Sequence, residues 1–291
     1  MSITIKGVSY TYMKNTPFEK TALSNINLQI KEGEYVAIAG HTGSGKSTLI
    51  QLMSGLIQPT MGNVTIDDVD LSSKNKTAVR SARLKIGTVF QYPETQLFEE
   101  TVEKDIAFAP KNLNLDEEEI NRRVAESMNL VGLSEKIKHT SPFNLSGGQK
   151  RKVAIAGVLA MNPKSMILDE PTAGLDPRAR NELMQNISDL HKKQNVTVIL
   201  VSHSMDDIAK FAKRLMILSQ GRILADGIPC EIFANTDILQ SAGLTPPSPM
   251  QFLLKLKAIG VDINTNAITV EKAEKILVEY IKNKRGMNNE R

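Results

Sequence analysis

The sequence predicts an α/β fold, and three observations support this prediction. The apolar run 34–39 is followed by a glycine-rich loop at 40–47 and then by a segment with helical spacing. A second apolar run ends in two adjacent acidic residues at 169 and 170. Between them, the stretch from 100 to 160 has mostly helical character. Strand-like runs that alternate with helical segments are typical of α/β domains.

The loop at 40–47 matches the pattern G-x-x-x-x-G-K-[ST], which binds the phosphates of nucleoside triphosphates. Its glycines let successive backbone N–H groups point inward at phosphate oxygens, and the following helix adds partial positive charge. We expect Lys46 to reach the β- and γ-phosphates and the Ser47 hydroxyl to ligate Mg²⁺. A chance glycine-rich turn is the alternative, but the strand before the loop and the helix after it are the context that the motif requires. The predicted nucleotide-binding residues of this loop are Gly40, His41, Thr42, Gly43, Ser44, Gly45, Lys46, Ser47 and Thr48.

The two acidic residues follow an apolar run that reads as a buried strand. Asp169 is expected to hold Mg²⁺, directly or through water. Because side chains alternate along a strand, the next residue, Glu170, would point the other way. There it could orient the attacking water or accept its proton. A solvated strand end is the common alternative for an isolated pair of acidic residues.

A second motif places two glycines directly before a basic, helix-prone stretch. Gly147 and Gly148 allow the backbone to approach an anion, and Ser146 can supply a hydroxyl and cap the helix. The basic residues at 150–152 lie at the positive end of the helix dipole, which repels cations. Either a bound polyphosphate offsets this repulsion, or the three residues form a solvated face. The full motif comprises Leu145, Ser146, Gly147, Gly148 and Gln149.

The combination of these two motifs on one chain resembles the ATP-binding-cassette (ABC) ATPases, over residues 1 to 235. The resemblance implies an ABC-type nucleotide-binding domain, with an antiparallel β subdomain and a helical subdomain that carries the signature motif at 145–149. It also implies that the chain binds ATP and Mg²⁺ and hydrolyses ATP. In this family the signature of one domain closes on the γ-phosphate held by the phosphate-binding loop (P-loop, here 40–47) of another. The chain is therefore expected to form a dimer with two composite sites.

The resemblance also assigns expected roles to single residues. Gln91 occupies the position of the Q-loop glutamine, which contacts Mg²⁺ or the attacking water. The segment 171–176 resembles the D-loop, which makes a solvated strand end less plausible and places Asp176 among the nucleotide-binding residues. His203, at the end of an apolar strand, resembles the switch histidine that contacts the γ-phosphate. The predicted catalytic residues are thus Glu170, His203 and Gln91, and the predicted metal ligands are Ser47, Gln91 and Asp169.

An aromatic residue near the N-terminus is expected to stack on adenine. The family places an aromatic side chain upstream of the P-loop for this purpose, and here the candidate is Tyr12. Such stacking stabilises binding by about 1–3 kcal/mol without base-specific hydrogen bonds. Tyr10 is the competing candidate, because alternation along a strand puts both rings on the same face.

Three further segments resemble one branch of the family, the energy-coupling factor ATPases of vitamin and cobalt transport. They are residues 11–23, 90–102 and 246–252, and the sequence Gln-Tyr-Pro-Glu at 91–94 matches the second of two paralogous ATPases. This resemblance implies a complex of two different ATPases, a transmembrane coupling protein and a membrane-embedded substrate-binding subunit. The complex would take up a micronutrient, either a vitamin or a transition-metal ion. One departure from the family is Ala-Gly at 173–174 of the D-loop, where many members have Ser-Ala.

Composition sets the expected location and excludes some partners. Of the 291 residues, 41% are hydrophobic, which is ordinary for a globular protein. The net charge of +4 is modest and does not demand a nucleic-acid partner. A single cysteine, Cys230, excludes an internal disulfide and fits a reducing compartment. No apolar run approaches the roughly 20 residues that span a bilayer, and residues 1–7 lack a signal-peptide pattern. We expect a peripheral protein at the cytoplasmic face of the cell membrane, held there by its partners.

The proline-rich segment 246–249 is the clearest break in the chain. We predict an ABC nucleotide-binding domain at 1–245 and a small helical extension at 246–291. The extension contains two candidate helices, one at 250–259 and one with apolar residues at 273, 276, 277, 280 and 281. Helices this short cannot bury their apolar faces alone, so the extension is a candidate for dimerisation.

Three alternative functions are weaker. A non-transport ABC ATPase acting on DNA or ribosomes usually carries coiled-coil insertions or two fused cassettes, and the chain has neither. A GTP-dependent switch needs an Asn-Lys-x-Asp motif, and the nearest match at 75–78 lacks the acidic residue. A binding-only subunit would lack catalytic residues, whereas Lys46, Asp169, Glu170 and His203 are all present.

Overall fold

The computed structural model describes residues 1–289. The chain separates into two compact units. The first unit comprises residues 1–35 and 47–201, and the second comprises residues 36–46 together with the chain from 202 onward. The predicted division at residue 245 follows the proline-rich segment 246–249 rather than this packing, and it stays a prediction.

The regular elements alternate along the chain as the α/β prediction requires. The strands are β1 (Ile3–Tyr12), β2 (Lys20–Ile30), β3 (Tyr35–Ala39), β4 (Met61–Ile66), β5 (Val69–Asp70), β6 (Ile86–Val89), β7 (Ser165–Asp169), β8 (Thr197–Val201), β9 (Arg214–Ser219) and β10 (Arg222–Gly227). The helices are α1 (Lys46–Met53), α2 (Lys76–Arg83), α3 (Val102–Asn112), α4 (Glu117–Leu130), α5 (Gly147–Ala160), α6 (Pro177–Gln194), α7 (Met205–Phe211), α8 (Pro229–Ala234), α9 (Thr236–Ser241), α10 (Ser248–Ala258) and α11 (Val270–Asn289). Short 3₁₀ turns lie at Pro93–Gln96, Glu135–Ile137 and Pro142–Asn144.

The first unit contains an antiparallel sheet with the strand order β2-β1-β4-β5. Alternating apolar residues turn one face of this sheet inward, as a half-buried sheet requires. Ile3 on β1 pairs with Ile30 on β2 and with Ile66 on β4, and all three side chains are buried. The predicted antiparallel β subdomain is confirmed.

The predicted helical region is also confirmed, because α3, α4 and α5 pack together in the first unit. Each of these helices begins at a side chain that accepts a backbone N–H hydrogen bond. Thr101 caps α3, Asp116 caps α4 and Ser146 caps α5. Such caps satisfy donors that have no partner inside the helix, so the helix starts follow directly from the sequence.

Strands β6, β7 and β8 of the first unit pair in parallel, with β7 in the middle. Every residue of β7 and β8 is buried, which explains their nearly continuous apolar sequence. Asp169, the last residue of β7, lies beside Val201, the last residue of β8. The carboxyl ends of these strands therefore meet at one edge, where ligands bind in open α/β sheets.

In the second unit, β3 pairs in parallel with β9, which pairs antiparallel with β10. Helices α10 and α11 match the two helices predicted beyond the proline-rich break, and they pack against each other. The two helices and the segment between them bury Leu253, Ile263, Ala267 and Ala273 in a small cluster. No helix in the described part of the chain is both long and apolar enough to cross a bilayer.

Candidate active site

The glycine-rich loop begins directly after β3 and runs into α1. Gly40 cannot be replaced here, because a Cβ on it would lie 2.2 Å from the carbonyl oxygen of Leu218. Gly43 has a φ of 82°, a left-handed conformation that favours glycine. The loop therefore has the turned backbone that lets N–H groups surround an anion.

Two side chains of the loop fit a bound phosphate. The Lys46 ammonium donates hydrogen bonds to the carbonyl oxygens of Gly40, at 2.6 Å, and of His41, at 3.0 Å. These bonds hold the positive charge over the loop. The hydroxyl of Ser44 is buried, and the structure gives it no hydrogen-bond partner among the described residues. A buried hydroxyl without a partner costs about 1–3 kcal/mol, a penalty that a phosphate oxygen would relieve. The loop thus fits a polyphosphate.

The start of α1 is joined to the predicted adenine-stacking residue. Tyr12 and Thr48 share a hydrogen bond of 3.1 Å between their hydroxyl oxygens, and Thr48 itself is buried. Tyr12 is 39% exposed and packs edge-on against Tyr10, with 4.8 Å between the ring centroids. Tyr12 therefore keeps an accessible ring held next to Thr48, which favours it over Tyr10. Ser47, the neighbour of Thr48, is exposed.

The acidic pair lies where β7 ends. Asp169 is buried within the strand, whereas Glu170 lies outside it with a left-handed backbone, at a φ of 50°. The Glu170 N–H donates to the carbonyl oxygen of Val201 at 2.9 Å. The sequence suggested that alternation along the strand sets the direction of the Glu170 side chain. It does not, because the chain turns at this residue. A left-handed non-glycine residue costs on the order of 1–3 kcal/mol and is typical of functional sites.

The turn that follows Glu170 contains the predicted D-loop. The Ala173 N–H donates to the carbonyl oxygen of Glu170 at 3.2 Å, which closes the turn. The Asp176 carboxylate caps α6 by accepting N–H bonds from Ala179, at 2.9 Å, and Arg178, at 3.0 Å. The bond from Ala179 is the main reason that the pKa of Asp176 lies below its ordinary value. Asp176 is therefore held as a helix cap, and its contact with nucleotide stays a prediction.

Gln91 and His203 are both exposed, and each is flanked by constrained residues. Gln91 lies between β6 and the turn Pro93–Gln96, next to Tyr92, which has a left-handed φ of 58°. His203 lies between Ser202, whose N–H donates to the Ile38 carbonyl oxygen at 3.4 Å, and Ser204, which caps α7. Both side chains are thus exposed at the ends of buried strands, and their contact with nucleotide stays a prediction.

The signature motif forms the N-terminus of α5 with a reciprocal capping box. The Gln149 N–H donates to the Ser146 hydroxyl, and the Ser146 N–H donates to the Gln149 side-chain oxygen at 3.1 Å. Leu145 precedes the cap in an extended conformation. A Cβ on Gly147 would meet no atom within 4 Å, and one on Gly148 would meet only Leu175 of the D-loop, at 3.4 Å. The backbone here is open to a close approach from outside.

One residue that the sequence did not single out is Arg151. It is neither on a solvated face nor open to a polyphosphate, because only 3% of it is exposed. Its Nε donates to the Glu94 carboxylate at 3.1 Å, and its Nη1 donates to the Ala173 carbonyl oxygen. Glu94 lies 57 residues earlier in the chain, so no local pattern could have indicated this pair.

The predicted site residues are distributed over both units. Residues 40–46 and His203 belong to the second unit. The first unit holds Ser47, Thr48, Tyr12, Gln91, the signature residues 145–149, Asp169, Glu170 and Asp176. Within the first unit the structure brings Tyr12 to Thr48 and the signature to the D-loop.

No group of three or more His, Cys, Asp or Glu residues in the described part of the chain forms a metal site of its own. The predicted Mg²⁺ ligands are instead one carboxylate, one hydroxyl and one amide, on Asp169, Ser47 and Gln91. Mg²⁺ usually binds through one or two carboxylates together with substrate phosphates and water. These donors therefore fit Mg²⁺ held jointly with a nucleotide.

Comparison with known proteins identifies the family. The model of the family described as ABC transporter matches residues 23–173. The energy-coupling factor transporter ATP-binding protein EcfA2 of Clostridium tetani is 54% identical over 285 residues, which cover 98% of this chain and 99% of that protein. The protein of the same name from Clostridium perfringens is 51% identical, over 97% of this chain and 99% of that protein.

The chain belongs to the energy-coupling factor ATP-binding proteins of the ABC transporter family. Solved structures of ABC ATPases share its fold. CbiO1 from Clostridium perfringens, part of the ABC transporter complex cbiONQ, is 36% identical, with a TM-score of 0.72 over 89% of this chain and 96% of that chain. The cassette MJ0796, in a dimeric post-hydrolysis state with ADP and Pi, is 33% identical, with a TM-score of 0.72 over 78% of this chain and 98% of that chain. The predicted ABC-type α/β fold is confirmed.

Proposed function

We propose that this chain is the ATP-binding and ATP-hydrolysing subunit of an energy-coupling factor transporter. It energises uptake of a micronutrient, either a vitamin or a transition-metal ion. The observation that carries this proposal is the 54% identity to a protein of that name over 98% of the chain. The phosphate-fitting loop at 40–47 supports it. A non-transport ABC ATPase acting on DNA or ribosomes is not favoured, because these relatives are transporter subunits.

The nucleotide site follows from the residues described above. Lys46 and the N–H groups of the loop bind the phosphates, and the Tyr12 ring stacks on adenine. Ser47, Asp169 and Gln91 hold Mg²⁺, which when bound neutralises charge on the transferred phosphoryl group. Glu170 orients the attacking water and accepts its proton.

Two further contacts complete the proposed site. His203 contacts the γ-phosphate from the same chain, while Asp176 contacts nucleotide at the junction of the two ATPases. The signature residues 145–149 act on the nucleotide of the second ATPase subunit. Gly147 supports this role, because it is exposed and a Cβ on it would meet no atom within 4 Å outside its own helix turn.

The proposed partners are a paralogous ATPase subunit, a transmembrane coupling protein and a membrane-embedded substrate-binding subunit, with no nucleic acid. We place the chain peripherally, at the cytoplasmic face of the cell membrane. Purification of the tagged chain from membranes of its host should yield these three partners and a complex that hydrolyses ATP in preference to GTP. Co-purification with ribosomes alone, or hydrolysis that requires DNA, would contradict the proposal.

The surface proposed for the coupling protein lies just after Gln91. Tyr92, Phe98 and Phe108 are exposed, and the rings of Phe98 and Phe108 contact edge-to-face at 4.8 Å. We call these three residues together with Glu99 and Glu100 the coupling patch. Aromatic side chains beside carboxylates suit a helix that carries arginine.

The backbone of the coupling patch is fixed before any partner binds. The N–H groups of Phe98 and Glu99 both donate to Asp105 Oδ2 at 3.0 Å. Glu100 pairs with Lys104 at 2.5 Å, which holds the pKa of Glu100 below its ordinary value. An exposed pair of this kind adds little stability, so the patch tolerates substitution.

Changing Glu99 and Glu100 together to lysine should therefore reduce transport by the complex while ATP binding by the chain is retained. Opposed like charges at an interface weaken binding strongly, so we expect a loss of roughly tenfold or more in transport. Transport by membrane vesicles and nucleotide binding by the purified chain measure the two effects. The matched control is the pair Glu117→Lys and Glu118→Lys, which changes the net charge equally on exposed residues of α4. Normal transport and assembly in the first variant would leave the patch as an ordinary acidic turn.

A second surface is proposed for the paralogous ATPase. In the second unit, α7, α10 and α11 line an apolar groove with a volume of about 610 Å³. Phe252 and Ile281 line it and remain half exposed. Because contiguous exposed apolar surface marks protein contacts, we propose that this groove takes an apolar segment of the paralogue.

A further inference from the structure

Arg151 carries a buried positive charge at the fifth residue of α5, close to the helix N-terminus. Burial removes the guanidinium from water, and a helix N-terminus disfavours a cation, so the side chain needs strong acceptors. It has two. The Glu94 carboxylate accepts from Nε at 3.1 Å and from Nη2 at 3.4 Å, and the Ala173 carbonyl oxygen accepts from Nη1. The planar guanidinium can hold both acceptors in one fixed geometry, which a lysine ammonium cannot do.

The two acceptors belong to different functional segments. Glu94 lies in the turn Pro93–Gln96, between Tyr92 and Phe98 of the coupling patch. Ala173 lies in the D-loop turn, and its N–H donates to the carbonyl oxygen of Glu170. Hydrogen bonds therefore run without interruption from the Glu94 carboxylate, through Arg151 and Ala173, to the backbone of Glu170.

Both segments contain strained backbone. Tyr92, which precedes the turn at 93–96, and Glu170 each have a left-handed φ, although neither is glycine. Such residues persist only where surrounding contacts hold them. Arg151 supplies a contact of this kind to both segments at once.

A second arginine, at the contact between α4 and α5, shows what a purely structural ion pair looks like. Arg123 on α4 donates to Glu119 at 2.6 Å and to the carbonyl oxygens of Ala160 and Met161 at the end of α5, and it is 17% exposed. Its chemistry matches that of Arg151, with one carboxylate and backbone carbonyl acceptors. Its acceptors, however, lie on α4 itself and at the C-terminal end of α5, away from both functional segments.

We propose that Arg151 is a positioning residue that ties Glu170 to the segment contacting the membrane partner. It thereby sets the rate of hydrolysis within the assembled complex without touching ATP. This inference rests on the proposed function, in particular on Glu170 as catalytic base and on the coupling patch. Breaking the Arg151 contacts should lower kcat for hydrolysis and leave the KM for ATP nearly unchanged.

The test uses the full transporter complex in vesicles of phosphatidylethanolamine and phosphatidylglycerol. The variants are Arg151→Gln, Glu94→Gln, the double variant, and Arg123→Gln as the matched control. We expect each of the first two to lower kcat by roughly tenfold with the KM for ATP within about twofold of wild type. Because the two residues act as a unit, the double variant should be no worse than the stronger single one, within about twofold. Arg123→Gln should change the melting temperature but not kcat per folded complex.

Three results would overturn the inference. They are normal kcat in Arg151→Gln, additive losses in the double variant, and an equal loss of kcat in Arg123→Gln. Should Arg151→Gln fail to fold, Glu94→Gln decides the matter alone, since its side chain is only partly buried. A wild-type complex that does not hydrolyse ATP would instead refute the proposed function, so the two failures are distinguishable.

Discussion

Replacing Glu170 with glutamine should abolish most ATP hydrolysis while ATP binding is retained. Glutamine has nearly the same size, and the N–H bond from residue 170 to the Val201 carbonyl oxygen does not depend on the side chain. The amide, however, cannot accept the proton of the attacking water. Loss of one positioned catalytic group typically lowers the rate by about 10²–10³-fold.

Steady-state hydrolysis by the complex, with parallel nucleotide binding to the purified chain, measures this effect. Glu182→Gln is the matched control, because Glu182 is an exposed glutamate of the same unit that pairs with Arg178 on its own helix. Its turnover should equal that of wild type. Turnover near the wild-type rate in Glu170→Gln would remove Glu170 from the catalytic role.

The parts of the site that sequence alone predicts are those set by neighbouring residues. The loop at 40–47 needs a strand before it and a helix after it, and the structure supplies β3 and α1 there. The signature motif predicts a helix cap at Ser146, and the structure shows the full capping box. Glycine, cap and strand patterns act over a few residues, so the sequence displays them directly.

Other features depend on contacts between distant segments, and the sequence cannot display these. The basic residues at 150–152 look alike in the sequence, yet only Arg151 is buried against Glu94 and Ala173. The strand period likewise cannot give the direction of the Glu170 side chain, because the backbone turns left-handed at this residue. In both cases the fold, rather than the local pattern, determines the role of the side chain.

The C-terminal helices show the same limit of sequence periodicity. The pattern at 273–281 predicts one apolar face, but the structure divides that face into two parts. Ala273 is buried in the cluster with Leu253, and Ile276, Leu277 and Tyr280 pack against it. Ile281 is 48% exposed and Phe252 is 50% exposed, and both line the groove described above. Phe252 and Ile281 are therefore available to a partner.

Changing Phe252 and Ile281 to serine should therefore weaken pairing with the paralogous ATPase in the absence of ATP. Full burial of one such side chain contributes about 1.5–3 kcal/mol, so each substitution should raise the dimer Kd by roughly tenfold or more. Hydrolysis should fall with dimer formation, because in the proposed composite sites each ATP contacts the loop of one subunit and the signature of the other. Nucleotide binding at the loop of the single chain should persist.

Sedimentation of the variant with its co-expressed paralogue measures the change, and Ile259→Ser is the matched control. Ile259 is 77% exposed and does not line the groove, so its loss should leave the dimer intact. Because Phe252 and Ile281 lie outside the buried cluster, the double variant should also fold normally. The double variant therefore distinguishes a weaker interface from a damaged core. Removal of the whole extension would not distinguish the two. An undiminished ATP-free dimer in the double variant would mean that the groove does not hold the two ATPases together.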